Sequence, residues 1–102
     1  MMTVKTRVVL PFDVADDTAN VLRCLGHPVR LQILNLLESE GESTVTEVYE
    51  ALGLEQAVAS QHLSLMNNKG ILERRKEGVH VFYRIGDDRA VKVLACVRRV
   101  KE

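Results

Sequence analysis

A chain of 102 residues, 46% hydrophobic and 27% charged, is the length of one domain, with enough apolar material for one core and little surplus. Tyr and Phe occur twice each and Trp is absent, so that core must be built from Leu, Val and Ile; no apolar run, signal-peptide pattern or repeat points to a membrane span, secretion or an array. Fourteen Lys and Arg balance fourteen Asp and Glu, yet residues 1–68 hold four basic against nine acidic side chains and residues 69–102 hold ten against five, so the neutral total hides a basic C-terminal third.

In chain order, residues 1–13 read as an arm with a short extended piece at 8–12. A helix is expected from Asp17, capped by Asp16 or Asp17, with Thr18, Val21, Leu22 and Leu25 as its buried stripe. Gly26-His27-Pro28 ends it. Pro28 lacks an amide hydrogen and suits the first position of a second helix, which His27 borders or caps and which carries Val29, Ile33, Leu34, Leu36 and Leu37 into the core. Residues 38–42 read as an acidic loop.

Thr44 lies three residues before Glu47, the spacing at which hydroxyl and carboxylate cap a helix start reciprocally. Gly53 breaks this third helix early, and a fourth helical pattern follows with Leu54, Val58, Leu63 and Met66 apolar, until Gly70 stops it. Two short helices joined this tightly, over 44–69, have the pattern of a helix-turn-helix. The second carries Gln56, Ser60, Gln61 and His62 as polar side chains for the major groove. Residues 71–76 and 79–85 are β-type runs around Glu77-Gly78, which makes 71–86 a hairpin wing. Arg74, Arg75 and Lys76, with His80 and Arg84 on the return strand, supply its positive charge. Alone these are a solvated hairpin; beside a recognition-type helix they become phosphate contacts. Asp87 or Asp88 caps a last helix over 87–101, whose Ala90, Val91, Val93, Leu94, Val97 and Val100 cover more than one face.

The blocks CLGHPVRLQIL at 24–34, ALGLEQAVASQHLSLM at 51–66 and KGILERRKEGVHVFYRI at 69–85 resemble the ArsR/SmtB family of bacterial repressors. The resemblance spans nearly the whole chain. It implies a mainly α winged helix-turn-helix of about five helices and a two-stranded wing, with 1–102 as one domain. It also implies a cytoplasmic homodimer paired through its first and last helices and a palindromic double-stranded DNA operator.

The family's metal ligands do not carry over. One site falls on Thr44 and Thr46, and the other retains Asp87 but meets Arg89 and Val100, so neither a metal nor any other cofactor is expected. Cys24 and Cys96 leave three readings open: packing residues, a dithiol switch for oxidants or reactive sulfur, or a small-molecule or thiophilic-ion effector, for which Cys24-x-x-His27 offers a half-site with too few ligands to stand alone. The resemblance supports the switch only in gross arrangement, because the early cysteine of the sulfur sensors falls here on Asn35. A winged-helix module that binds protein, for which a neutral chain is natural, and a small thiol-redox protein are the rival classes. No catalytic array or phosphate loop supports an enzyme.

Overall fold

Two prolines set where the helical part of the chain begins. The computed structural model describes residues 7–101, over which the order is α1 (Phe12–Leu25), α2 (Pro28–Glu40), β1 (Ser43–Thr44), α3 (Val45–Leu52), α4 (Gln56–Asn68), β2 (Leu72–Glu77), β3 (His80–Ile85) and α5 (Asp88–Lys101). Residues 1–6 of the expected arm and the side chain of Val100 lie outside the described residues.

Helix α1 starts at Phe12, five residues before the expected Asp17. Its N-cap is Pro11, whose carbonyl accepts the first helical bond from Ala15 N at 3.0 Å. Pro11 disfavours helical backbone at Leu10, so the chain enters extended and turns helical at once. Asp16 and Asp17 sit inside the helix rather than at its cap, and the expected extended piece keeps no strand. The buried stripe is Val21, Cys24 and Leu25, with Leu22 half exposed and Thr18 only partly covered. Cys24 therefore belongs to the core, where the sequence placed Leu22.

His27 caps α2 by accepting from Val29 N on Nδ1 at 3.1 Å, and Pro28 occupies the first turn. Ile33, Leu34 and Leu37 are buried on the face toward α3, α4, β3 and α5. The helix runs to Glu40, three residues into the expected loop, and Gly41 N closes it on Leu37 O at 2.8 Å. After Gly41 comes a strand that local pattern did not announce: Ser43 and Thr44 pair with Tyr83 and Phe82, so the sheet order is β1-β3-β2.

Thr44 closes the reciprocal cap expected of it, with Glu47 N donating to Oγ1 at 3.1 Å and Thr44 N donating to Glu47 Oε1 at 2.8 Å. The Thr44 amide, and after it the Thr44 hydroxyl, hold the Glu47 carboxyl below the usual carboxylate range, because a hydrogen bond to the carboxylate favours its charged form. At the end of α4, Gly70 takes φ +78°. Its amide donates to Asn67 O at 3.0 Å and that of Ile71 to Met66 O at 2.9 Å, the paired bonds that finish a helix when a left-handed residue follows it. Ile71 is thereby driven into the core with no exposed surface. The wing then forms with Glu77 opposite His80, so its turn is Gly78-Val79, one residue later than expected. Asp87 caps α5 by accepting from Arg89 N at 2.9 Å.

Thr44→Ala should remove the oxygen that satisfies Glu47 N and cost about 1 kcal/mol of folding stability, whereas Thr44→Ser should restore most of it. Urea denaturation of the three proteins checks this.

Candidate nucleic-acid interface

What α4 shows to solvent follows from what it buries. Ala59, Leu63 and Met66 have no exposed surface and fix its inner face against α2 and α3. At about 100° per residue, Gln61 projects nearly opposite that stripe. Ser64, exposed one turn further on, shares its face and was missed in the sequence, where it stands between the apolar Leu63 and Leu65. Gln56 is exposed in the first turn, Ser60 is half-buried on one flank, and His62 is half-buried on the other.

His62 is held within the protein. Arg30 Nε donates to its Nδ1 at 3.2 Å, Arg30 Nη1 donates to Cys24 O at 2.9 Å, and the His27 ring lies 4.6 Å away centroid to centroid. Both imidazoles thus use Nδ1 as an acceptor, which places their N–H on Nε2 in the neutral form. Partial burial, then the neighbouring His27 and Arg30 charges, push the His62 pKa below its ordinary value.

The wing's cations divide into two sets. On one face Arg84 donates to Glu73 Oε2 from Nη2 at 2.8 Å and from Nε at 3.1 Å. On that same face Arg75 lies 4.5 Å over the Phe82 ring and pairs with Glu77 and, at 2.6 Å, with Glu42. These carboxylates hold the Arg75 pKa above its usual value, and Arg75 holds Glu77 below the carboxylate range. Arg74 and Lys76 point the other way, opposite Tyr83 and Val81, and among the described residues neither has a carboxylate within ion-pair distance. His80 is exposed beside the turn, its ring 6.3 Å from Phe82.

The positions carried over from the family's metal ligands hold other interactions. Thr44 is the α3 cap. Asp87 binds the Arg89 guanidinium at 2.7 Å, and Arg89 reaches Asp17 on α1 at 2.9 Å. Hydrogen bonds from the Arg89 side chain, then from its amide, hold the Asp87 carboxyl below its ordinary range, and the same guanidinium ties α1 to α5 there. Cys24 is buried and Cys96 exposed, both as free thiols; burial raises the Cys24 pKa against the opposing fields of Arg30 and Lys69.

The sequence signature described as bacterial regulatory protein, arsR family, matches residues 27–74, from the cap of α2 into β2. An HTH-type transcriptional regulator of Methanocaldococcus jannaschii is 35% identical over 82 residues, which span 80% of this chain and 92% of that protein. This chain belongs to the arsR family of bacterial regulatory proteins. Another family-like chain, the transcriptional repressor PagR of Bacillus anthracis, is 30% identical over 84% of this chain and 86% of its own length. Its crystal structure matches with a TM-score of 0.80 over 85% of this chain and 99% of that one. The solution structure of a homodimeric winged helix-turn-helix DNA-binding domain from Mycobacterium bovis matches at 0.75 and 31% identity, over 96% of this chain and 90% of that one. The arsR-family chain is a DNA-binding transcriptional regulator with the expected winged helix-turn-helix fold, and the relatives it matches are regulators rather than enzymes.

His62 yields a pH prediction. Its pKa is lower folded than unfolded, so the unfolded chain takes up the proton first as pH falls. The stability it contributes is therefore complete above the ordinary value of 6.5 and is lost as pH drops through that value toward the folded one. Denaturant titrations between about pH 8 and pH 5 should show that loss, and His62→Gln should flatten it.

Proposed function

We propose that the chain is a homodimeric repressor that places α4 of each copy in successive major grooves of a palindromic operator, acts in the cytoplasm with the DNA it binds, and leaves that DNA on meeting an effector. The observation that carries this reading is the pairing of an α4 face bearing exposed Gln61 and Ser64 with a wing whose Arg74 and Lys76 have no internal counter-charge. Gln56, Ser60 and Gln61 read base edges in this scheme, since Gln pairs bidentately with adenine. His62 contributes by orienting α4 through Arg30, with Nε2 left for DNA. Arg74 and Lys76 meet phosphates directly. Arg75, Arg84 and His80 line the opposite wing face, where exposed ion pairs worth at most about 1 kcal/mol can be exchanged for phosphate.

Residues 1–102 act as one winged-helix domain in this scheme. Support for the dimer comes from exposed apolar side chains: Val8, Val9, Leu10 and Phe12, with Val14 and Leu22 half exposed on α1 and Val97 half exposed on α5. The radius of gyration, 16.9 Å, exceeds the roughly 13 Å of a compact chain this long, as a projecting α1 segment makes it. The homodimeric Mycobacterium bovis domain is consistent with a second copy as the cover.

A gel shift with the DNA flanking the protein's own gene separates operator binding from a protein-interaction role. On that operator Gln61→Ala should lose about 1–3 kcal/mol of affinity while random duplex is nearly unaffected, and Lys76→Ala should lower the salt-dependence slope by about one on either DNA. Equal losses on both duplexes for Gln61→Ala would remove its reading role.

A second reading makes Cys24 and Cys96 the effector site. It is favoured by the exposure of Cys96 on α5 and opposed by the burial of Cys24, which raises that thiol's pKa despite the fields of Arg30 and Lys69. Peroxide would take two electrons and two protons from the thiols to form a disulfide, which requires Cα atoms about 4.4–6.8 Å apart and so a shift of α1 against α5 within or between subunits. Operator affinity of the wild type should then fall at least tenfold on oxidation and that of Cys24→Ser and Cys96→Ser should not. No response in the wild type returns both cysteines to packing and leaves the effector to a small molecule or thiophilic ion.

A further inference from the structure

The cations of the described residues fall into two classes. Arg75, Arg84, Arg89, Lys92 and Arg98 each lie within ion-pair distance of a carboxylate. Among the described residues Arg7, Arg23, Arg30, Lys69, Arg74, Lys76 and Arg99 do not, and three of these, Arg23, Arg30 and Lys69, line one hollow of about 260 Å³ between the end of α1, the start of α2 and the end of α4. Asn20, Cys24 and Leu65 complete its wall, so no carboxylate lines it.

Helix ends account for part of this. Arg23 lies in the last turn of α1 and Lys69 caps α4, where the carbonyl ends of the helices favour positive charge. Arg30 does not fit that account. It occupies the first turn of α2, whose amide end repels a cation, and α2 has no acidic residue there to offset it. Two of its nitrogens are spent on His62 and on Cys24 O, which fixes the guanidinium plane, while Nη2 donates to no described acceptor. A guanidinium held at Nε and Nη1, with Nη2 still able to donate, is a fixed cation to which an oxyanion can bind. The hollow is smaller than ordinary organic-ligand pockets, which run about 300–1,000 Å³.

We propose that this hollow binds a phosphate-type oxyanion through Arg23, Arg30 and Lys69, with Arg30 as the fixed element. Because Lys69 ends the recognition helix and Arg30 is latched to His62 in its middle, a DNA backbone phosphate beside the groove is one source of that group; a free oxyanion is the other. The first source rests on the operator reading and the second does not.

The test uses Arg23→Gln and Lys69→Gln, whose exposed side chains can change without breaking the Arg30 latch, with Lys92→Gln as a charge control elsewhere. Inorganic phosphate is titrated at constant ionic strength while backbone amides are followed by NMR, and the salt-dependence slope is measured on a random duplex. Slopes lowered by about one in each hollow variant but not in the control assign the site to a DNA phosphate. Saturable shifts at Arg30 and Lys69, with half-saturation raised at least tenfold in both variants and the DNA slope unchanged, assign it to a free oxyanion, and would do so even if the protein bound no operator. Wild-type slopes in both variants together with no saturable phosphate shift overturn the proposal, and a normal effect of Lys76→Ala in the same experiment leaves the operator reading standing.

Discussion

Burial of Ala59, Leu63 and Met66 is the constraint from which the α4 surface proposed to meet DNA follows. With no exposed area on any of the three, α4 cannot rotate about its axis without lifting Leu63 or Met66 into water, at about 1.5–3 kcal/mol for each side chain uncovered. The outward direction of Gln61 and Ser64 is therefore set by apolar packing rather than by any polar contact of their own. Gly70 completes the placement. Its left-handed backbone ends the helix and sends Ile71 inward, so the wing leaves the core beside α4.

A neutral chain achieves nucleic-acid binding by segregating its charges. Five cations are returned to carboxylates, where they tie the outer elements together: Arg89 joins α5 to α1, Arg98 joins α5 to Glu38 and Asn35 on α2, and Arg75 joins the wing to Glu42. Being exposed, these pairs add little stability individually. Their effect is to neutralise the scaffold, so that uncompensated positive charge gathers at Arg74 and Lys76 on one side of α4 and at the Arg30 hollow on the other. Arg30 connects the two regions: its Nε donates to His62 and its Nη1 to Cys24 O, and the same side chain lines the hollow.

Much was legible in the sequence because much was local. Pro28, the Thr44–Glu47 spacing, Gly53 and Gly70 act within a few residues of themselves, and each produced the helix boundary expected of it. The alternation over 79–85 marked β3, with Tyr83 inward. Errors arose where a local signal had a competitor: Asp16 and Asp17 looked like caps, but Pro11 had already started α1, and Glu77-Gly78 looked like the turn, but the register of Glu77 with His80 moved it by one.

What local chemistry could not contain was decided by partners distant in the chain. Two residues are too few to show a period, so Ser43 and Thr44 became a strand only because β3 offered an unpaired edge. Cys24 replaced Leu22 in the core because the rotation of α1 is chosen by what packs against it. Arg74, Arg75, Lys76 and Arg84 are alike in sequence, yet Glu42, Glu73 and Glu77 neutralise two of them and leave the others free. Sequence alone determined that the chain is a winged helix-turn-helix with a basic wing; which of its polar side chains remain available for a ligand was set by tertiary packing, since availability depends on what the fold brings within a few ångströms of each.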